Sequence, residues 1–372
     1  MKFLLYSLSE NLYNDTGDNC YMIDFYKVTP NELISWLKEQ GEPSYRGKQI
    51  FDWVYQRNVS DWDSMNNLSH ELRKKLKKAF RLGSLEQIRQ SESDDQETTK
   101  FLWKLLDGTY VESVLIRSGA RRTVCVSSQV GCPARCAFCA SGQKGFMRNL
   151  SASEIVEQVV RINCELASKK ERVTHIVYMG MGEPLKNYNA VVGSIRQFCA
   201  EELLNLSQRR ITVSTVGIVE GIRRLVKEEL KVSLVLSLHA PNQHVRKKII
   251  PYARKYPLED ILKGVEDYAQ QTRRNATYEY ILIEGVNDQV EHADELSALL
   301  KGKHCTVNLI PYNPVPGVRL KRPKTKVIHH FMSILKKNRI LVTCRYTKGD
   351  DIAAACGQLA LQEETELAQK AS

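Results

Sequence analysis

The 372-residue sequence has no apolar run approaching the roughly 18 residues that a membrane-spanning helix needs, so no membrane span is expected. The amino-terminal MKFLLYSLSENLYND lacks a sufficient apolar core and a small-residue cleavage site, so it does not read as a secretory signal. There is no low-complexity tract, and no internal repeat beyond an alternation of strand and helix. Ten cysteines are present, but without framework spacing. That excludes a disulfide scaffold and points to a reducing cytoplasm, with thiols used for metal or chemistry. A second C-x2-C or H-x3-H pair is also missing, so a structural zinc site, which wants four ligands in two closed pairs, has no complete ligand set.

What is present is positive charge and one dense cluster of thiols. Hydrophobic content of 42% and charged content of 26% are ordinary for a globular chain, which is long enough for one large domain and a smaller one. The net charge of +11 suggests a polyanionic partner, with nucleic acid the first candidate. The cluster is GCPARCAFCASG, in which Cys132, Cys136 and Cys139 follow the spacing C-x3-C-x2-C directly after the apolar TVCVSSQV. Thiolates suit iron–sulfur clusters, zinc or copper(I). A four-iron cluster held by only three of them keeps one iron open to a small molecule. Three buried cysteines, or zinc with a distant fourth ligand, are the alternatives that spacing leaves.

Local patterns order the rest. Residues 1–21 are a patternless leader expected to be disordered, and translation starting at Met22 is one reading of it. Thr29, Pro30 and Glu32 open a helix that Gly41 stops. Helical stretches follow through Arg46–Gln56 and Ser69–Phe80. Trp36, Trp53 and Trp62 are expected as core of a small helical domain, 22–90. Arg73, Lys74, Lys75, Lys77, Lys78 and Arg81 ring one helix whose apolar stripe is Leu72, Leu76, Ala79 and Phe80; its basic face suits phosphates. SESDDQETT reads as a loop and KFLWKLLDGTYVESVLI as a β-hairpin turning at Asp107-Gly108, giving an extension at 91–122.

From Thr123 strands and helices alternate: TVCVSSQV, HIVYMG, ITVST, VSLVLSL, YEYILIE and TVNLIP are the six β-rich runs. Ser151 and Glu154 form a capping box for the first intervening helix. The fold class is therefore α/β, a partial (β/α)6 barrel over 123–361, with the small helical domain and hairpin added and a polar tail at 362–372. Functional residues in such barrels lie at the carboxyl ends of strands. Those ends carry the cysteine loop, Gly180–Pro184, Ser214, the stretch Ser237, Leu238 and His239, Glu284, and Asn308–Asn313. On the residues alone Ser214 and Ser237 are ordinary strand-end polars, His239 a structural histidine, Cys125 an inert buried thiol and Glu112 a surface carboxylate.

CVSSQVGC, the cysteine loop, MGMGEP, SLHAP, NLIPYNP and GDDIAAACGQLA together resemble the bacterial dual-specificity RNA methyltransferases of the radical S-adenosylmethionine (SAM) class, over Tyr26 to Leu361. The resemblance implies one 4Fe-4S cluster on Cys132, Cys136 and Cys139, and SAM held by Gly182, Glu183, Ser214, Ser237, Leu238, His239 and Asn313. It implies formation of 2-methyladenosine in 23S rRNA and in tRNA beside the anticodon, with two SAM molecules used per turnover. Cys356 would carry the methyl group as S-methylcysteine, Glu112 would remove the carbon-2 proton, and Cys125 would release the product by forming a disulfide with Cys356. Flavodoxin with its reductase is the type of electron donor implied, for a cytoplasmic monomer. Cys20, Cys164, Cys199, Cys305 and Cys344 match no motif and read as structural.

A carbon-8 methyltransferase of the same superfamily shares nearly every motif; the proline of MGMGEP and TKGDD favour carbon 2. A methylthiotransferase would need a second cluster, for which the cysteines upstream of Cys132 are too few. A nonenzymatic zinc RNA-binding module leaves MGEP and Cys356 unexplained.

Overall fold

A computed structural model describes residues 22–345 and 348–359. The leader 1–21 with Cys20, Thr347 of TKGDD, and the tail 362–372 lie outside the described residues. The chain divides into two compact units, one ending at Ser84 and one beginning at Leu85.

The first unit is helical, apart from a short parallel pair of β1 (Ile23–Asp24) with β2 (Phe80–Arg81). The helix Pro30–Glu39 starts at the expected capping box, with the Glu32 amide donating to Thr29 Oγ1 and the Thr29 amide to Glu32 Oε2. Arg46–Gln56 is not one regular helix: Tyr45–Phe51 is α-helical and Asp52–Gln56 widens into a π-helical turn, where Trp53, Val54 and Tyr55 are all buried. Trp62 is buried too, and half-buried Trp36 packs edge-on against Phe80 at 4.9 Å. Tryptophan thus builds the core here.

The basic helix is His70–Ala79, and Arg81 belongs to β2 instead. Its cations do not form a continuous free face. Lys77 pairs with Asp63 at 2.7 Å, Lys75 donates to the Gln40 carbonyl at 2.9 Å, and Arg73 donates to the Asp63 carbonyl. Lys74 and Lys78 are exposed.

The second unit is organised by a ten-stranded sheet. An antiparallel part comprises β3 (Glu86–Glu92), β4 (Thr98–Lys104), β5 (Tyr110–Ser118) and β6 (Arg121–Cys125). β3 was not legible as a strand. EQIRQSE is polar and largely exposed at the sheet edge, so it lacks the apolar alternation that marks one. It moves the domain boundary from 90 to 84, and the SESDDQETT loop shrinks to the residues between Glu92 and Thr98. The hairpin at Asp107-Gly108 is as expected, with Lys104 opposite Tyr110 and Gly108 at φ +80°.

A short antiparallel pair interrupts the main sheet after β6, formed by β7 (Gln129–Gly131) and β8 (Phe146–Asn149). The parallel part then continues from β6 through β9 (His175–Tyr178), β10 (Ile211–Thr215), β11 (Ser233–Ser237), β12 (Ala276–Leu282), β13 (Cys305–Pro311) and β14 (Leu341–Cys344). The six expected strands are there in order, and the strand in ILVTCR joins them as a seventh. β14 and β3 remain at opposite edges, so the barrel is open.

The first crossover helix, Ala152–Ala167, buries Ile155, Val156, Val159, Ile162 and Leu166. It also buries Gln158, whose side chain accepts from the Ser127 amide at 2.9 Å and donates to the Ser127 carbonyl at 3.0 Å. That clamp holds the chain just beyond the carboxyl end of β6, where the cysteine loop begins. No helix of the described residues is long and apolar enough to cross a membrane.

Candidate active site

The cysteine loop is closed by a backbone contact only glycine permits. Gly131 sits at φ +70°, and a Cβ there would lie 1.8 Å from the Gly145 carbonyl oxygen. Beside it the Cys132 amide donates to that same carbonyl at 2.8 Å. Between these anchors Cys132 and Cys136 are buried and Cys139 is half-buried. Desolvation pushes the Cys132 thiol up to about 12, and raises Cys136 and Cys139 as well. All three line one cleft at the carboxyl ends of the strands, enclosing about 790 Å³ including its open mouth.

Gly182, Glu183, Ser214, Ser237 and His239 line the same cleft. Gly182 has φ +110°, and a Cβ would meet Ser128 Oγ and Gln129 Cβ at 2.7 Å. The buried Glu183 carboxylate accepts from the amides of Val216 at 2.7 Å and Leu185 at 2.9 Å, yet burial still lifts its pKa to about 7. A buried carboxylate of this kind gains from a neighbouring ammonium. The hydroxyls of Ser214 and Ser237 are 3.2 Å apart.

His239 is in the left-handed region at φ +57°, and its Nδ1 accepts from the Ile281 amide at 3.0 Å. The ring proton therefore sits on Nε2. Burial, then Arg246, drives its pKa down to about 3, so the ring stays neutral. Leu238 is fully buried and does not line the cleft. Its carbonyl accepts from Arg246 Nε at 3.1 Å, while its amide donates to Glu279. Asn313 likewise stands back, its amide donating to the Cys356 carbonyl at 3.1 Å.

The segment bearing Cys356 is tied to the cysteine loop. Ala140 donates its amide to the Gly357 carbonyl at 2.8 Å, and Ser141 Oγ donates to Leu359. Cys356 is solvent-accessible although protein surrounds it, because two cavities open onto it. One is the cleft of the three cysteines. The other, about 1000 Å³ including its mouth, is also lined by Cys125. Burial, then Glu279, pushes the Cys356 thiol up to about 11; burial, then Cys356, raises Cys125.

Glu112 is not on the surface. It is buried on β5 and pairs with buried Lys100 at 3.2 Å, because the register of β4 and β5 turns both side chains inward. Neither cavity has Glu112 among its lining residues; Val114 and Ile116, on the same face of β5, line the one that reaches Cys125. Glu284 is exposed beyond β12, whereas Glu279 within that strand is buried and faces the cleft. Asn308 is spent on Thr343, whose hydroxyl donates to it at 2.7 Å. Cys164, Cys199, Cys305 and Cys344 line neither cavity.

Residues 126–296 match the radical SAM superfamily, and residues 23–82 match the ribosomal RNA large subunit methyltransferase N-terminal domain. The probable dual-specificity RNA methyltransferase RlmN 2 of Protochlamydia amoebophila is 65% identical over 92% of this chain and 95% of its own length. The corresponding protein of Lysinibacillus sphaericus is 48% identical, over 92% and 90%. The chain belongs to the RlmN family of radical SAM RNA methyltransferases. A crystal structure of a radical SAM methyltransferase from Sphaerobacter thermophilus superposes with a TM-score of 0.88 at 44% identity, covering 91% of this chain and 99% of that one.

For a member of this family the implied groups are a 4Fe-4S cluster and SAM, and the residues present fit them. Among the described residues no three His, Cys, Asp or Glu side chains are grouped to hold one metal ion. The three thiols share one cleft, and three soft donors are the set that would hold a four-iron cluster with one iron left open to SAM.

Two site residues of this enzyme escaped sequence reasoning. Glu279 carried a readable signal, a lone acid among the apolar residues of a buried parallel strand. Arg246 carried none, since QHVRKKI reads as a solvated basic turn. It is nevertheless fully buried, with its guanidinium donating to the carbonyls of Leu238, Val216 and Ser237.

Proposed function

We propose that the chain forms 2-methyladenosine in 23S rRNA and in tRNA, using Cys356 as the methyl carrier. The observation that carries this is the position of Cys356, which shares one cleft with Cys132, Cys136 and Cys139 and a second cavity with Cys125. When bound, the cluster and SAM supply a methyl group, one-electron reduction and a 5′-deoxyadenosyl radical. Glu183 holds the ammonium of SAM, and the hydroxyls of Ser214 and Ser237 with the Nε2 proton of His239 serve its polar groups. Asn313, through the backbone of Cys356, orients the carrier.

Cys356 becomes methylated on sulfur; its carbon, once a hydrogen atom is removed, adds to carbon 2 of adenine, and the unpaired electron then on the ring would pass back to the bound cluster as the carbon-2 proton leaves. Glu112 would take that proton on leaving its ion pair with Lys100, because neither cavity reaches it in this structure. Cys125 then attacks the Cys356 sulfur; the carbon–sulfur bond breaks, its electron pair passes to the new methylene, which takes a proton, and the two sulfurs are left as a disulfide. Two electrons from outside reduce that disulfide before the next turnover. The electron donor is of the flavodoxin type, and the enzyme acts as a cytoplasmic monomer. The helical unit 22–84 assists RNA binding.

Anaerobic reconstitution with iron, sulfide and SAM, followed by nucleoside mass spectrometry of treated 23S rRNA and tRNA, tests the reading. 2-Methyladenosine in both RNAs is the expected result. 8-Methyladenosine would move the product to the other carbon, and no methylated adenosine at all would refute the mechanism.

A further inference from the structure

The cavity that reaches both Cys125 and Cys356 has a wall the chemistry above leaves unused. β6, β9 and β10 are neighbouring parallel strands, with Thr123 opposite His175 and Ile211 opposite Ile176. Residues two apart on a strand share a face. On the face toward this cavity β6 presents Arg121, Thr123 and Cys125, β9 presents His175 and Val177, and β10 is entered through Arg210 and Thr212. Each column starts from a basic side chain at the amino end, and one of them ends on a thiol. Arg209, in the turn before β10, and Arg345, just beyond β14, complete the ring.

Among the described residues no carboxylate lines the cavity. Arg121, Arg209 and Arg210 are exposed, and among the described residues their side chains have no carboxylate partner. Arg345 has one, Glu279 at 3.5 Å. The arginines converge on a common space: after burial, it is Arg121 and Arg210 that hold the His175 pKa below its ordinary value. A run of charge on a convex surface is ordinarily solvated. Three guanidinium groups without a carboxylate partner around one concavity repel each other instead, and an anion relieves that repulsion.

We propose that this cavity is the port for the target nucleotide, with Arg121, Arg209 and Arg210 holding the phosphates on either side of it. The proposal rests on the RNA methyltransferase reading above. A nucleotide drawn out of its stack passes the arginines and brings its base to Cys356 from the side opposite the cysteine loop. The methyl carrier then stands between two ligands that never share a cavity: SAM on one side, RNA on the other. Cys125 lies on the RNA side, where the carbon–sulfur bond must break.

The test compares the wild type with R209E/R210E and R209K/R210K. Binding of an RNA hairpin with an unpaired loop adenosine is followed by fluorescence anisotropy at several salt concentrations. Methylation of Cys356 by SAM without RNA is followed in parallel by intact-protein mass spectrometry, a readout the port does not touch. Losing two phosphate contacts should lower the slope of log affinity against log salt by about 2, and weaken binding on the order of 100-fold near 0.1 M salt. The lysine variant should keep the slope, and both variants should still methylate Cys356. An unchanged salt slope in R209E/R210E, with wild type still methylating the hairpin, would overturn the port and leave the enzymatic reading intact. Loss of Cys356 methylation in both variants would show that the arginines support the fold, and would also overturn it. A wild type that fails to methylate any RNA sinks the functional reading, and the port with it.

Discussion

Replacing Glu183 with glutamine should flatten the pH dependence of stability of the iron-free protein. Burial raises this carboxyl from the ordinary 4.5 to about 7, against the opposing donation from the Val216 and Leu185 amides. The native state therefore holds a proton that the unfolded chain releases between those two values. Over that window the folded protein binds more protons, so stability is fully present below pH 4.5 and falls as pH rises to about 7. At about 1.36 kcal/mol per pH unit, the loss amounts to roughly 3 kcal/mol across the window, about 2 of it above pH 5.5. Glutamine keeps one acceptor for the two amides and removes the titration, so its own cost is a constant offset. Urea denaturation of iron-free wild type and E183Q, run from pH 5.5 to 8, should give curves that diverge by that amount, with wild type losing ground as pH rises. Parallel curves would refute the reasoning, because they would mean that the carboxylate is solvated or permanently paired.

Gly131→Ala should prevent the cysteine loop from closing, since its Cβ would stand 1.8 Å from the Gly145 carbonyl oxygen; reconstituted protein should hold little iron or sulfide and be at least about 2 kcal/mol less stable. Lys100→Met removes the cation paired with the buried Glu112 carboxylate and should cost about 3 kcal/mol in chemical denaturation, much of it recovered in Lys100→Met/Glu112→Leu. Arg246→Ala unbridges the carbonyls of Leu238, Val216 and Ser237 at once; a loss of roughly 3 kcal/mol in thermal or urea unfolding is expected, with no rescue by lysine, whose single ammonium cannot span the three. Cys125→Ser should allow Cys356 methylation but trap RNA on the protein, seen as a nuclease-trimmed adduct at Cys356 by mass spectrometry.

The parts of the fold that announce themselves are those whose local chemistry suffices. The Thr29 and Ser151 capping boxes, the Asp107-Gly108 turn and the six apolar runs each satisfy backbone groups or bury surface within a few residues. β3 and the π-helical turn do not, because an exposed polar edge strand is stabilised by its partner β4 and not by its own pattern.

By itself the sequence determined the three-thiol loop, the open series of parallel strands and the motifs that mark the family, since ligand spacing and hydrophobic period are properties of a linear chain. Only the tertiary structure decided that Glu279 and not Glu284 faces the cleft, and that Glu112 is paired with Lys100. It also decided that Arg246 is buried beneath the loops and that the arginines at the starts of β6 and β10 surround one cavity. Those facts depend on which face a side chain takes in a register shared by neighbouring strands. That register is set by pairing across the sheet, between residues far apart in the chain.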